Sequence, residues 1–440
     1  MSTRLQNLWE QLRANFWFVP ALMLAGAVLL AFAMINLDQA IGEQVITQLG
    51  WTYTRGPAGA RSLLSTVASS VITVAGVTFS ITIAALTLAS SQFGPRLLRS
   101  FLRDTGNQVV LGTFTATFLY CLLVLRTVHG NDADAFVPNI AVAVAVGLAI
   151  ASLGVLIYFI NHVSVAIQVD HVIFAVGQEL DRVIDQLFPA PLGHAAASQP
   201  PPAADLRAAS SAAAPIRATG AGYIQAIDVE SVLRIATEHD LVIQLLRQPG
   251  DVVLRDLDLA RAWPCERIDE TLTREIAAVY ILGTQRTLTQ DVRFAMQQLV
   301  EIAVRALSPG INDPFTAVAC IDRLGAALAH LSRRTMPDAQ RYDAHGNLRV
   351  IAEPVPGAEI IAVAFDQIRQ YGRTSALVSV HLLETITRLL ICAPSSDLHD
   401  ALLRQAEMIA RGSQEGLPEE LDRAAIAARY LDVAQARDAH

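Results

Sequence analysis

Residues 62–91 read SLLSTVASSVITVAGVTFSITIAALTLASS, a stretch without one charged side chain. A helix of ~20 apolar residues crosses about 30 Å of hydrocarbon, so this run is long enough to span a membrane. It is also thick with hydroxyls. Ser62, Thr66, Ser69, Thr73, Gly76, Ser80, Ala84, Thr87 and Ser91 recur at steps of three and four, which puts small or hydroxylic groups along one stripe of one helix. Two arrangements account for such a stripe. Small residues let helices approach closely while hydroxyls bond across the contact. Alternatively, the hydroxyls line a water-filled path and meet ions there. The second arrangement makes Ser62, Thr66, Ser69, Thr73, Gly76, Ser80, Thr87 and Ser91 pore-lining candidates.

Three more runs can span: 16–37, 108–128 and 137–160. The totals agree, with 52% hydrophobic and only 17% charged residues, too apolar for an ordinary soluble chain. The first run is too long, and lacks the small-residue cleavage site, to be a removable signal, so it is expected to be retained. The stretch QFGPRLLRSFLRDTGN (92–107) carries Arg96, Arg99 and Arg103, whereas GNDADAF (130–136) carries Asp132 and Asp134 and no arginine. Arginine excess marks the cytoplasmic side. Both termini are therefore expected inside, with 38–61 and 129–136 outside; Arg55 and Arg61 run against this assignment. Arg96, Arg99 and Arg103 would then ring an inner mouth and favour anions over cations.

Beyond the spans, Val165, Val169, Val172, Val176, Leu180 and Ile184 continue a helical rhythm. An unbroken helix from 137 to 187 would be about 75 Å long and would project as a stalk. The expected organisation is mainly α: a four-helix transmembrane domain over 1–165, a helical stalk over 166–188 and a Pro/Ala/Ser linker over 189–215. A cytoplasmic α+β domain follows, with a small β-rich module over 216–265, a helical bundle over 266–393 and peripheral helices over 394–440. The β-rich module resembles the compact barrels of lipoyl- or hammerhead-like modules. The chain contains no lysine to carry a group, so no carrier role follows. RYDAHGNLRVIAEPVPG (341–357) is expected to form a hairpin.

ALSPGINDPFTAV (306–318) interrupts helical sequence with two prolines, a glycine, an asparagine and an aspartate. Pro309 biases Ser308 out of the helix, so Leu307 should be the last helical residue. Gly310 suits a left-handed turn. Asp313 suits an N-cap, with Pro314 at the first helical position. A rigid corner is one reading. The other is a cytoplasmic motif of Ser308, Pro309, Gly310, Asn312, Asp313 and Pro314, whose helix-start amides could hold an anion or polar group.

ALSPGINDPFTA, preceded by QDVRFAMQQLVEIAVR, resembles the signature of a bacterial membrane-protein family, domain of unknown function 2254. SSQFGPRLLRSFL and AFDQIRQYGR (364–373) resemble it too, and the similarity runs from the first span to about residue 393. The resemblance implies an integral protein of the bacterial inner membrane with a cytoplasmic domain. It brings no activity with it.

Chemistry is scarce. No P-loop, GxGxxG, HExxH, GxSxG or EF-hand is present. Asn161, His162, Asp170 and His171 lack ligand spacing, so no metal is expected. Cys121, Cys265, Cys320 and Cys392 are too dispersed for a zinc site or disulfide framework. No cofactor is expected, and the net charge of −8 gives no footprint for nucleic acid. An enzyme would have to assemble in space from Arg286, Asp291, Ser308, Asn312, Asp313, Arg369, Tyr371 and Arg373, and a non-enzymatic role is favoured. The leading expectation is a channel-like homo-oligomer in lipid that passes an ion or small ligand, with a cytoplasmic regulatory domain. A membrane-anchored sensor or scaffold without a pore is the alternative, and an unrecognised membrane enzyme the third.

Overall fold

The computed structural model describes residues 17–41, 56–94, 105–129, 136–188, 213–392 and 396–438. The chain divides into two compact units, Met1–His171 and Val172–His440.

The first unit holds four helices long and apolar enough to cross a membrane. These are α1 (Phe18–Ile41), α2 (Pro57–Phe93), α3 (Thr105–Thr127) and α4 (Asn139–Ala166). Pro57 opens α2, where a missing N–H costs nothing, and Gly94 closes it at φ 109 with its N–H on the Ser90 carbonyl at 3.1 Å. α3 packs against α1, α2 and α4 and is the innermost of the four. Tyr120, Cys121 and Val124 on α3 close over Ala31, Leu64, Ala68 and Ala141 from its three neighbours.

Two long-range polar contacts fasten helix ends that hydrocarbon could not satisfy. Asp38, near the end of α1, accepts from the N–H groups of Ile140 and Ala141, each at 2.9 Å, and so caps α4. Arg61 on α2 donates through Nη2 to the Val128 carbonyl just past α3, at 3.1 Å. That engagement gives Arg61 a structural task, and it is a reason to discount it as a topology signal.

α4 does not continue unbroken. It ends at Ala166, and α5 (Val169–Leu187) starts afresh after Ile167 and Gln168. The Ile167 and Gln168 amides both reach back to the Val165 carbonyl, tightening the last turn, and Asp170 stands in the first turn of α5, where an acidic group suits a new N-terminus. The expected single rod is thereby corrected to two helices. Within the second unit, α5 is a packed helix that buries Val172, Val176, Leu180 and Ile184. Its Asp181 pairs with Arg323, and its Asp185 with Arg334 and with His330 Nε2 at 2.8 Å. Gly177 lies directly under the Arg323 side chain, which a Cβ would strike.

The strands of the second unit are β1 (Ala214–Arg217), β2 (Gly222–Ile227), β3 (Val242–Leu245), β4 (Val252–Val253), β5 (Asp258–Trp263), β6 (Tyr280–Gly283), β7 (Gln340–Tyr342) and β8 (Leu348–Ala352). They form two open sheets, in orders β1-β5-β3-β8-β7 and β4-β2-β6, rather than the closed barrel that the sequence suggested. The expected hairpin is present as β7–β8, but β8 also pairs in parallel with β3, Ile243 opposite Val350. Of the strands over 216–265, β1, β3 and β5 thus share their sheet with the hairpin, while β2 and β4 pair in the other sheet. A core of Ile216, Ile224, Val232, Ile235, Ile243 and Val350 lies beneath, with α6 (Val229–Glu238) and α7 (Glu270–Ala277) packed into it.

The helical part comprises α8 (Val292–Ala306), α9 (Pro314–Ser332), α10 (Gly357–Gly372), α11 (Ala376–Cys392), α12 (Ser396–Gly416) and α13 (Glu420–Asp438). α8 packs on α9 and α10, α9 on α11, α10 on α12, and α11 on α12 and α13. Among the described residues, four helices of the unit start on an aspartate whose carboxylate accepts from the first turn: Asp228, Asp269, Asp291 and Asp313.

Candidate functional site

The face of α2 that packs into the four-helix bundle is Leu64, Ala68, Val71, Ala75 and Thr78, all buried. Its hydroxyl stripe lies opposite. Ser62, Thr66, Ser69, Thr73, Gly76, Ser80, Thr87 and Ser91 are every one exposed. Among the described residues, the stripe is therefore not a seam between the spans of the chain. Most of its hydroxyls are nonetheless satisfied locally. Thr66 donates to the Ser62 carbonyl at 2.7 Å, Thr73 to that of Ser69 at 2.7 Å, Ser80 to that of Gly76 at 2.9 Å and Thr87 to that of Ile83 at 2.9 Å. What faces outward is a ladder of hydroxyl oxygens with their lone pairs, and Gly76 meets nothing within 4 Å. Arg96, Arg99 and Arg103, and the acidic residues Asp132 and Asp134, lie outside the described residues.

The 306–318 corner is capped and nearly closed. Ser308 turns its hydroxyl back onto the Arg305 carbonyl at 2.6 Å. Its own carbonyl accepts from the Ile311 and Asn312 amides, and the Asp313 amide reaches the Ala306 carbonyl at 2.8 Å. Asp313 Oδ1 accepts from the Phe315 and Thr316 amides at 3.1 and 3.2 Å, and Oδ2 from the Thr316 hydroxyl at 2.5 Å. That hydroxyl, followed by the amides, holds the Asp313 carboxyl below its ordinary range. Two expectations change. The left-handed residue is Asn312, at φ 52, and not Gly310; asparagine tolerates that region. The helix-start amides are already occupied by Asp313, which leaves them unavailable to an outside anion. Pro309, Gly310 and Asn312 are exposed, and Pro314 is half-buried at the first position of α9.

The residues considered for an enzyme separate into different jobs. Arg286 grips Asp291, with Nη2–Oδ2 at 2.6 Å, and Gln297 Oε1 at 2.7 Å. Arg293 beside it joins Glu359 at 2.7 Å, the Pro249 carbonyl at 3.0 Å and Asp251 at 3.3 Å. This network clamps the 249–251 turn to α8 and α10. Tyr371 is 53% exposed. No group of three or more metal-ligating side chains assembles among the described residues.

Arg369 and Arg373, by contrast, line the same side of a cleft of about 240 Å³ between α10, α11 and α12. Arg411, Glu415, Met408 and Ile409 from α12 and Leu382 from α11 complete it. Of these residues, only Arg369 and Arg373 were among the candidates legible in the sequence. The signal available was one arginine every four residues at the end of α10; nothing along the chain says that α12 lies opposite. Leu307, at the foot of the 306–318 corner, would touch a Cβ placed on Gly372 at 3.6 Å, so the corner and the QYGR turn share one end of the bundle.

Comparison with known proteins agrees with the fold. A family model described as "Predicted membrane protein (DUF2254)" matches residues 13–388. An uncharacterized protein of Mycobacterium tuberculosis and one of Mycobacterium bovis are each 34% identical over 447 aligned residues, covering 99% of this chain and 84% of theirs. No solved structure matches. With the matched region running from the first span into α11, the chain belongs to the DUF2254 family of predicted membrane proteins.

Proposed function

We propose that this is a channel-like homo-oligomer of the bacterial inner membrane, with both termini cytoplasmic and a cytoplasmic unit that regulates it. The observation that carries this reading is the exposure of the hydroxyl stripe, opposite the packed face of α2. Polar groups on a spanning helix favour a partner or water over lipid, and subunits arranged about an axis with α2 innermost would give the stripe either. Arg96, Arg99 and Arg103 would ring the inner mouth. The stripe's lone pairs suit cations, but three full charges per chain outweigh hydroxyl dipoles, so anion passage is the expected selectivity.

Purified protein in planar bilayers should show discrete currents, and Arg99→Glu should shift their reversal potential under a salt gradient. Gly76→Leu meets open space in the protomer and should leave its folding unchanged while blocking the current. A monomeric particle without conductance would overturn the proposal. A second reading, a sensor without a pore, is favoured by one observation: the arginine-rimmed cleft lies wholly within the second unit.

A further inference from the structure

The cleft between the end of α10, the first two turns of α11 and the later half of α12 has two chemical halves. Its floor is apolar and closed, with Leu382 fully buried and Ile409 nearly so, and Met408 of α12 is half-buried in its lining. Its rim is basic, with Arg369, Arg373 and Arg411 set against the single carboxylate of Glu415. Arg369 is held in place from behind: its Nε donates to Gln405 Oε1 at 3.1 Å and its Nη2 to Asp366 Oδ1 at 3.3 Å. Gln405 Nε2 locks the same Asp366 oxygen at 2.7 Å. Arg369 Nη1 is left without a partner among the described residues. So are the guanidiniums of Arg373 and Arg411, which have neither an ion pair nor a hydrogen bond there, although Glu415 shares the rim with them.

A surface arginine usually finds a carboxylate or lies flat along the protein. Two arginines from different helices, both unpaired and both edging one opening beside a third that is fixed, make a receptor for an anion. The number of guanidiniums selects the anion. One guanidinium satisfies a carboxylate through two parallel bonds. A phosphate monoester carries nearly two charges near neutral pH and presents three acceptor oxygens, which calls for more than one guanidinium. Met408, the half-buried apolar side chain of the lining, suits the esterified group and can adjust to its shape. Glu415 would repel a second anionic group, restricting the ligand to one phosphate.

We propose that this cleft binds a phosphate monoester with a compact apolar body. The chemistry is shared by a soluble organic phosphate and by the headgroup of phosphatidic acid. The inference stands apart from the channel reading: it concerns binding at the cleft, and loss of conductance would leave it intact.

The test uses the full chain in phosphatidylcholine nanodiscs, titrated with phenyl phosphate by calorimetry. Saturable binding is expected, with benzoate about tenfold weaker or more. Arg373→Gln and Arg411→Gln should each weaken phenyl phosphate by about tenfold or more, the loss of one charge-assisted contact. Glu415→Gln should tighten it by a few-fold. Both arginines are exposed, and an unchanged thermal melt for each variant separates lost binding from lost folding. Adding phosphatidic acid to the nanodisc assigns the source: displacement of phenyl phosphate makes the lipid headgroup the occupant, and undiminished binding makes it a free solute. Absence of saturable binding, equal affinity for benzoate, or indifference to both arginine substitutions would overturn the proposal.

Discussion

Replacing Asp38 by alanine should be among the most damaging single changes in the membrane unit. The carboxylate is 6% exposed and serves the second and third residues of α4, Ile140 and Ala141, at 2.9 Å each. Those are the donors an N-cap side chain would normally satisfy, but the cap residue here is Pro138, which has no acceptor to offer. Asp38 supplies it from another helix. Ala141 is fully buried, so water cannot take over. Two hydrogen bonds to a charged acceptor are lost, each worth about 1.5–3 kcal/mol, and partial relaxation of the helix end returns some of that. Asp38→Ala should therefore destabilise by about 3 kcal/mol, roughly a hundredfold in the folding equilibrium. Asp38→Asn keeps one acceptor and should lose only about 1 kcal/mol. The assay is loss of helical circular dichroism with rising denaturing detergent in mixed micelles. If Asp38→Ala lay within about 0.5 kcal/mol of the wild type, or if asparagine were as harmful as alanine, the capping argument would fail.

At the 306–318 corner, Asp313→Ala should destabilise the protein by about 1 kcal/mol, through loss of the cap on α9. Because the folded-state carboxyl sits below its unfolded value, this contribution is present above the ordinary aspartate range and is lost as pH falls through the folded value. Melts of wild type and variant should thus differ at neutral pH and converge in acid; a difference that persisted in strong acid would contradict the assignment. For membrane orientation, a cysteine placed at Asp132 in a cysteine-free background should be labelled by an impermeant reagent on intact cells. Labelling at Arg99→Cys instead would reverse the topology.

Much of this architecture could be read from the chain, and particular residues explain what could not. The four spans were legible because length and apolarity suffice to define them. The Asp313 cap and Pro314 start were legible because helix-start chemistry is local. The left-handed residue was misplaced because Gly310 and Asn312 both tolerate that turn, and only the reach of the Asp313 amide to Ala306 decides between them. The stripe on α2 was visible as a period, but a period does not say which neighbour a face meets; Leu64, Ala68 and Val71 settle that only in three dimensions. The break after Ala166 has no glycine or proline to announce it. Asp38 and Arg61 act on residues distant in the chain, and the cleft needs Arg411 to stand opposite Arg373, so neither could be derived from spacing.

The parallel pairing of β3 with β8 has a consequence for how the second unit is made. As the chain leaves the ribosome, β1, β3 and β5 can associate early, but the free edge of β3 waits while α7, β6, α8 and α9 are synthesised, because its partner comes only with Val350. An open strand edge recruits whatever strand arrives first, and pairings of such sequence separation form slowly. Nascent chains held at that stage are the ones exposed to mispairing, and a chaperone would be needed most there. The same geometry forbids dissection near residue 265: the N-terminal piece would carry a raw β3 edge, and the C-terminal piece an orphaned hairpin. The second unit has to be expressed as one continuous polypeptide from β1 through β8 at least.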